Sequence, residues 1–353
     1  MPPRRRKRID PAAFRLPVDE IKAGVYTDAY FVRARDVLRQ DKRTPAVVMQ
    51  FTGKDEGWVS GIDEAVAMLK LCSDDWNALA VHALYEGDKY ESWDTVLTVE
   101  GPYDSFGFLE TLCLGVLARR TRICTNAKMM CDAAQSKPVM FFGARDDVYS
   151  TQPGDGYAAM VGGVKLVSTQ AQALLFSGNA VGTIPHALIA AYGGDTVKAT
   201  RRFAEAIQGV DVIALVDYDN DCVKSSLDVA RALEGQLWGV RLDTAENMVD
   251  KSIVPQMGAF NPTGVNPTLV WNVRNALDAE GFGDVKIVVS GGFDEERIRA
   301  FEEDGVPVDA YGVGAALYDG RYDFTADIVQ VNGKPEAKAG RRLRENPRLE
   351  RVK

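Results

Sequence analysis

The sequence predicts an α/β protein in two parts: a mixed α+β region, then a βα repeat that forms either a barrel or a doubly wound sheet. Three observations carry this reading. Residues 16–115 hold strand-like runs and amphipathic stretches in no regular alternation. From about residue 121, short apolar runs alternate with amphipathic helices. Those runs are apolar throughout, as strands covered on both faces are. Six or seven such units leave few other architectures.

In the first region, residues 46–52 and 96–99 read as strands and 61–71 and 108–120 as helices. In the second, the strands fall at 138–143, 164–167, 180–184, 212–217, 237–242, 286–290 and 308–311. Helices are expected at 196–208, 223–233, 268–278 and 294–303. In the first of these, Val197 and Phe203 share a face, Lys198, Arg201 and Arg202 point outward, and Gly209 serves as C-cap. The expected layout is a basic tail at 1–15, an N-terminal domain at 16–120 that recruits part of the C-terminus, a catalytic barrel at 121–320, and a C-terminal segment with a basic tail at 321–353.

At 353 residues with 46% hydrophobic and 26% charged residues, the chain can bury a full core, which excludes a disulfide-held module and a largely disordered chain. No apolar run approaches bilayer length and none reads as a signal peptide, so a cytoplasmic protein is expected. Cys72, Cys113, Cys124, Cys131 and Cys222 show no CxxC spacing, and His82 and His186 are the only histidines, so the cysteines read as buried thiols and no zinc is expected. Residues 1–15 and 334–353 each carry a net charge of +5, leaving −18 between them. The run Arg4–Arg5–Arg6–Lys7–Arg8 reads as a solvated tail or one that pairs with a neighbouring subunit's acidic body. That body argues against nucleic-acid or membrane partners.

Candidate chemistry lies where polar residues follow an apolar run, because α/β enzymes place their sites at the carboxyl ends of strands. Asp217 and Asp219 follow one run, Arg241 and Asp243 flank the end of another, and Ser290–Gly291–Gly292 and Gly312–Val313–Gly314 follow two more. The glycine motifs suit phosphate, since they let backbone N–H groups approach an anion at a helix start. The acids suit Mg²⁺ or ribose hydroxyls, with Asp219 and Asp243 the candidate metal ligands. Together they imply a sugar phosphate, with pyrophosphate and Mg²⁺. His82 reads as structural. His186 follows a strand behind Pro185 and beside Thr183, where an imidazole can act as a base or accept a phosphoryl group.

Gly182–Thr183–Ile184–Pro185–His186–Ala187–Leu188–Ile189 resembles the histidine motif of the nicotinate phosphoribosyltransferases, a branch of the type II phosphoribosyltransferases. Thr27–Asp28–Ala29–Tyr30–Phe31, Phe141–Phe142–Gly143–Ala144–Arg145, Val216–Asp217, Val240–Arg241–Leu242–Asp243, Ser290–Gly291–Gly292–Phe293–Asp294 and Gly312–Val313–Gly314 resemble further family segments in the same order. The resemblance implies an N-terminal α/β sandwich plus an irregular, TIM-like parallel β/α barrel, and a homodimer or higher homo-oligomer whose N-terminal segment covers its partner's barrel mouth. It implies that Tyr30, with Asp28 in the same segment, reaches the partner's site, and that Tyr30 and Phe142 stack on a pyridine ring. Arg145 and Arg241 would meet the nicotinate carboxylate and phosphates, and Ser290, Gly291, Gly292, Gly312 and Gly314 would hold the 5′-phosphate.

The implied activity joins nicotinate to phosphoribosyl pyrophosphate for NAD biosynthesis, coupled to ATP hydrolysis through phosphorylated His186, with Asp217 and Asp243 as catalytic acids and Mg²⁺ as cofactor. Ser168 and Thr169 offer hydroxyls where a nicotinamide enzyme would want a carboxylate, which favours the anionic substrate over nicotinamide; quinolinate would need further cations. A catalytically idle sensor or scaffold is the alternative of another class. Two departures stand out. Asp146 and Asp147 follow Arg145 where many relatives have a second arginine, and residues 223–353 lack the cysteines of the zinc module that some members carry.

Overall fold

A computed structural model of the chain describes residues 7–176, 180–258 and 260–353, so Arg4, Arg5 and Arg6 lie outside the described residues. The chain forms two units, one made of residues 1–128, 157–162 and 318–353, the other of 129–156 and 163–317. No helix among the described residues is long and apolar enough to cross a membrane.

The first unit begins with strands β1 (Ala46–Gly53), β2 (Gly57–Trp58), β3 (Ala80–Ala83), β4 (Lys89–Tyr90) and β5 (Thr95–Pro102). β1 alternates Val47, Met49 and Phe51 into the core, where they meet Val81, Leu97 and Val99. The helix Ile62–Cys72 presents Ile62, Ala65, Val66 and Leu69 to the same core, the i, i+3, i+4, i+7 stripe of an amphipathic helix. The helix Glu110–Ala133 runs through position 120, so the expected boundary between 120 and 121 falls inside a helix.

The second unit contributes β6 (Val139–Phe141), β7 (Leu166–Val167), β8 (Val212–Leu215), β9 (Leu237–Leu242), β10 (Lys286–Val289) and β11 (Ala310–Val313). They form one sheet in the order β7-β6-β11-β10-β9-β8, every pair parallel. The expected strand at 180–184 is not one. Ala180 makes an isolated parallel bridge to Val167, Val181 donates to Val167 O at 2.8 Å and Ile184 to Ile213 O at 3.4 Å, so the segment ties the sheet's two edge strands without a ladder among the described residues and closes the ring irregularly. The helix Thr196–Ala206 buries Thr196, Ala199 and Thr200 rather than Val197, and ends on Ile207 instead of Gly209. The remaining helices, Cys222–Ala232, Pro267–Ala279 and Glu295–Glu303, fall within two residues of expectation.

The chain then returns to the first unit with β12 (Phe324–Val331), β13 (Lys334–Pro335) and β14 (Glu350–Arg351), giving an antiparallel sheet ordered β13-β12-β1-β5-β3-β14. Among the described residues, parts of both basic segments bond to the first unit while many of their side chains stay exposed. Gln50 donates to Arg342 O and accepts from Arg344 N, both at 2.9 Å, and Asn346 Nδ2 donates to Thr95 O at 2.8 Å. Arg8 pairs with buried Asp63 at 2.8 Å, and Ile9 N donates to the same carboxylate at 2.9 Å. These bonds satisfy buried polar groups that a detached tail would leave open. Four of the five cysteines are buried and Cys131 is half-buried.

Candidate active site

The ends of five parallel strands converge on one set of side chains. Phe142, just past β6, is fixed by its N–H donating to Val313 O at 2.7 Å. Its ring lies 5.6 Å from the guanidinium of Arg241 on β9. Arg241 Nη2 reaches Asp243 Oδ2 only at 3.5 Å, and its Nε is buried with no acceptor among the described residues. Burial lowers the Arg241 pKa, Asp243 and Asp217 oppose that, and nearby Arg145 adds to it. Asp243 Oδ1 accepts the Ser290 hydroxyl at 2.6 Å, a bond between the ends of β9 and β10.

Asp217, past β8, lies 3.0 Å from His186 Nε2. Its side chain is 8% exposed whereas the imidazole is 47% exposed. Burial raises the Asp217 pKa, His186 pulls it back, and Asp243 pushes it up. A buried carboxylate on Nε2 holds the ring in place and leaves Nδ1 for a substrate. Pro185 precedes the helix His186–Ala191 in an extended conformation, and Thr183 is half-buried just before it.

The two glycine motifs differ. Gly291 and Gly292 have φ of +87° and +70°, backbone that side chains rarely adopt. Arg297 donates to their carbonyls at 2.8 and 3.1 Å and to Val265 O at 2.5 Å, and lies 4.2 Å from the Phe293 ring. A Cβ on Gly292 would fall 2.0 Å from Glu246 Oε1, so a carboxylate lies against this turn. Gly312 is not at the start of a helix: it lies inside β11, and a Cβ there would meet Phe142 Cε2 at 2.6 Å. Its glycine is explained by the seat of that ring. Gly314 precedes a four-residue 3-10 turn, Ala315–Tyr318, rather than a helix N-terminus, and a Cβ on it would approach Asp146 Oδ2 at 3.1 Å.

Ser168 donates through N and Oγ to Gln172 Oε1 at 3.0 and 3.1 Å, so its hydroxyl organises a turn. Asp219 is exposed, its carbonyl bound by Lys251 Nζ at 3.0 Å. No group of three or more His, Cys, Asp or Glu residues able to hold a metal occurs among the described residues. In the first unit, Asp28 Oδ2 accepts from Thr111 Oγ1 at 2.8 Å and from Tyr30 OH at 3.3 Å, and the Tyr30 ring is 61% exposed. Arg297, Glu246 and Gln172 were not foreseen. Arg297 alone left a signal, three residues beyond the helix cap Asp294 and hence over the turn it binds.

Residues 28–121 match the quinolinate phosphoribosyl transferase N-terminal domain and residues 123–324 its C-terminal domain. The nicotinate phosphoribosyltransferase pncB1 of Mycobacterium tuberculosis is 31% identical over 263 residues, 72% of this chain and 54% of the relative, so the chain spans about half the length of that protein. A nicotinate-nucleotide pyrophosphorylase from Pyrococcus furiosus superposes with a TM-score of 0.79 at 37% identity, covering 92% of this chain and 80% of the other. Human nicotinic acid phosphoribosyltransferase, at 17% identity, shares the fold with a TM-score of 0.68, covering 88% of this chain and 76% of the other. With both domains matched and the parallel-strand site in place, the chain belongs to the type II phosphoribosyltransferases, the family of the quinolinate phosphoribosyl transferase domains.

Proposed function

We propose that the protein transfers the phosphoribosyl group of phosphoribosyl pyrophosphate to nicotinate, giving nicotinate mononucleotide and pyrophosphate for NAD biosynthesis. The observation that carries this is Arg241, a largely buried guanidinium beside the Phe142 ring with its Nε lacking an acceptor among the described residues. A flat ring bearing one carboxylate supplies the stacking surface and the missing acceptor together. The name of the tuberculosis relative agrees with this substrate, and that of the Pyrococcus relative agrees with the nucleotide product.

The reaction breaks the anomeric C–O bond to pyrophosphate and forms a bond to the pyridine nitrogen. Its oxocarbenium-like state is favoured by the carboxylates of Asp217 and Asp243, the latter held by Ser290. The Gly291–Gly292 turn binds the 5′-phosphate, and Arg145 faces the departing pyrophosphate. Mg²⁺ uses few protein carboxylates when substrate oxygens complete its shell, so Asp243 and Asp219 suit an ion carried by pyrophosphate, which would neutralise charge on the leaving group. ATP coupling rests on the His186–Asp217 pair: a ring nitrogen attacks the γ-phosphoryl group, ADP leaves, and water later takes the phosphoryl group as phosphate. Tyr30 completes the ring site of a second copy of the chain.

A pyrophosphate-release assay with nicotinate, nicotinamide and quinolinate, each with and without ATP, tests the proposal. Release that is fastest with nicotinate and stimulated by ATP is expected. Preference for another pyridine would replace the substrate, and binding of phosphoribosyl pyrophosphate without release would make the chain a sensor or scaffold.

A further inference from the structure

The two basic segments meet on the first unit. Lys7, Arg8, Ile9 and Pro11 and residues 350–353 frame a cavity of about 500 Å³, completed by Val66, Lys70, Trp76 and Tyr85. Lys7, Lys70 and Arg351 are exposed at its rim and form no ion pair among the described residues. Two further cations are fixed in the wall. Lys353 Nζ donates to Trp76 O at 2.9 Å and Asn77 Oδ1 at 3.2 Å and lies 5.6 Å from the Trp76 ring. Arg8 lies 4.3 Å from the Tyr85 ring while its charge is matched by Asp63. Glu350, the one acidic side chain of the lining among the described residues, faces the Tyr85 hydroxyl at 3.4 Å.

Like charges repel, and a chain with a net −18 between its ends has ample acid to place beside them. Instead, three unmatched cations and one fixed ammonium surround a concavity of small-ligand size with two aromatic side chains in its wall. Cations of this kind take phosphate oxygens, and aromatic walls take a flat base. A nucleic-acid polymer would also meet the acidic body, whereas a small anion would not. We propose that this cavity is a nucleotide-binding site, taking a di- or triphosphate on Lys7, Lys70, Arg351 and Lys353 with its base against Trp76 and Tyr85. None of these residues belongs to the barrel unit, so the site stands whether or not the reading of that unit's chemistry holds.

Calorimetric titration of ATP and of tripolyphosphate into the parent and a Lys7→Gln/Lys70→Gln/Arg351→Gln variant tests it, with photolabelling by an azido-ATP to locate the bound base. The parent should bind ATP more tightly than tripolyphosphate at a site labelled in the Trp76 or Tyr85 peptides. The variant should keep its melting temperature and basal turnover but bind at that site at least about tenfold more weakly, the effect of removing three partly exposed ion pairs. Unchanged ATP affinity and labelling in the variant, or labelling confined to barrel peptides, would overturn the site. Equal affinity for ATP and tripolyphosphate would overturn its assignment to nucleotides.

Discussion

Gly312→Ala isolates what the glycine in β11 is for. An added methyl would lie 2.6 and 2.8 Å from two atoms of the Phe142 ring and 3.1 Å from Ser290 Cβ. The backbone there is outside the left-handed region, so alanine carries no φ strain and by itself would gain about 0.5–1 kcal/mol over glycine in a strand. Overpacking a fitted contact costs about 1–3 kcal/mol, so the net is a loss of up to about 2.5 kcal/mol. For a unit of this size that is a fall of up to about 10 °C in melting temperature. In a Phe142→Ala background the ring is gone, and only Ser290 must give by a few tenths of an ångström. Gly312→Ala should then be near neutral, a coupling of about 1–3 kcal/mol. Thermal and urea denaturation of the parent, both single variants and the double variant measure it. Costs that add within about 0.5 kcal/mol would refute the ring-seat explanation and return Gly312 to the phosphate motif.

Other outcomes follow from the same geometry. His186→Ala should keep the fold and the basal nicotinate reaction but lose ATP stimulation in a coupled assay; equal stimulation would remove the phosphohistidine. Asp243→Asn should lower kcat/KM for phosphoribosyl pyrophosphate by about 2–4 kcal/mol in transition-state terms, and unchanged turnover with a lower melting temperature would make Asp243 a structural acid. Glu110 is pushed up to about 7, first by burial and then by Asp327 and Asp28. Its contribution to stability is full below the unfolded carboxyl range and is lost as pH rises through about 7, so Glu110→Gln should flatten the decline in melting temperature between pH 5 and 8. Tyr30→Ala and His186→Ala, each impaired in ATP-coupled synthesis, should partly complement when dissociated and mixed, because one hybrid site carries neither lesion. No recovery in verified heterodimers would place each site within one chain.

The sequence by itself determined the parallel strands, the helices between them and the strand ends where Asp217, Arg241, Asp243 and Ser290 stand. Those follow from local periodicity: a strand buried on both faces is apolar over consecutive residues, and chemistry at its end follows immediately in the chain. The exception at 180–184 shows the limit. Its apolar run is the same kind as its neighbours', but a segment that must join the two edge strands of a ring touches each at an isolated point instead of along a ladder. Tertiary structure alone decided the rest. The seat of Phe142 requires a glycine 170 residues later, Gln50 takes its partners at 342 and 344, and Arg8 finds Asp63. A glycine that admits a ring and a glycine that admits a phosphate read alike in sequence. Only the atoms brought against each Cα by distant packing tell them apart, and the docking of two basic segments around one cavity depends on the same long-range contacts.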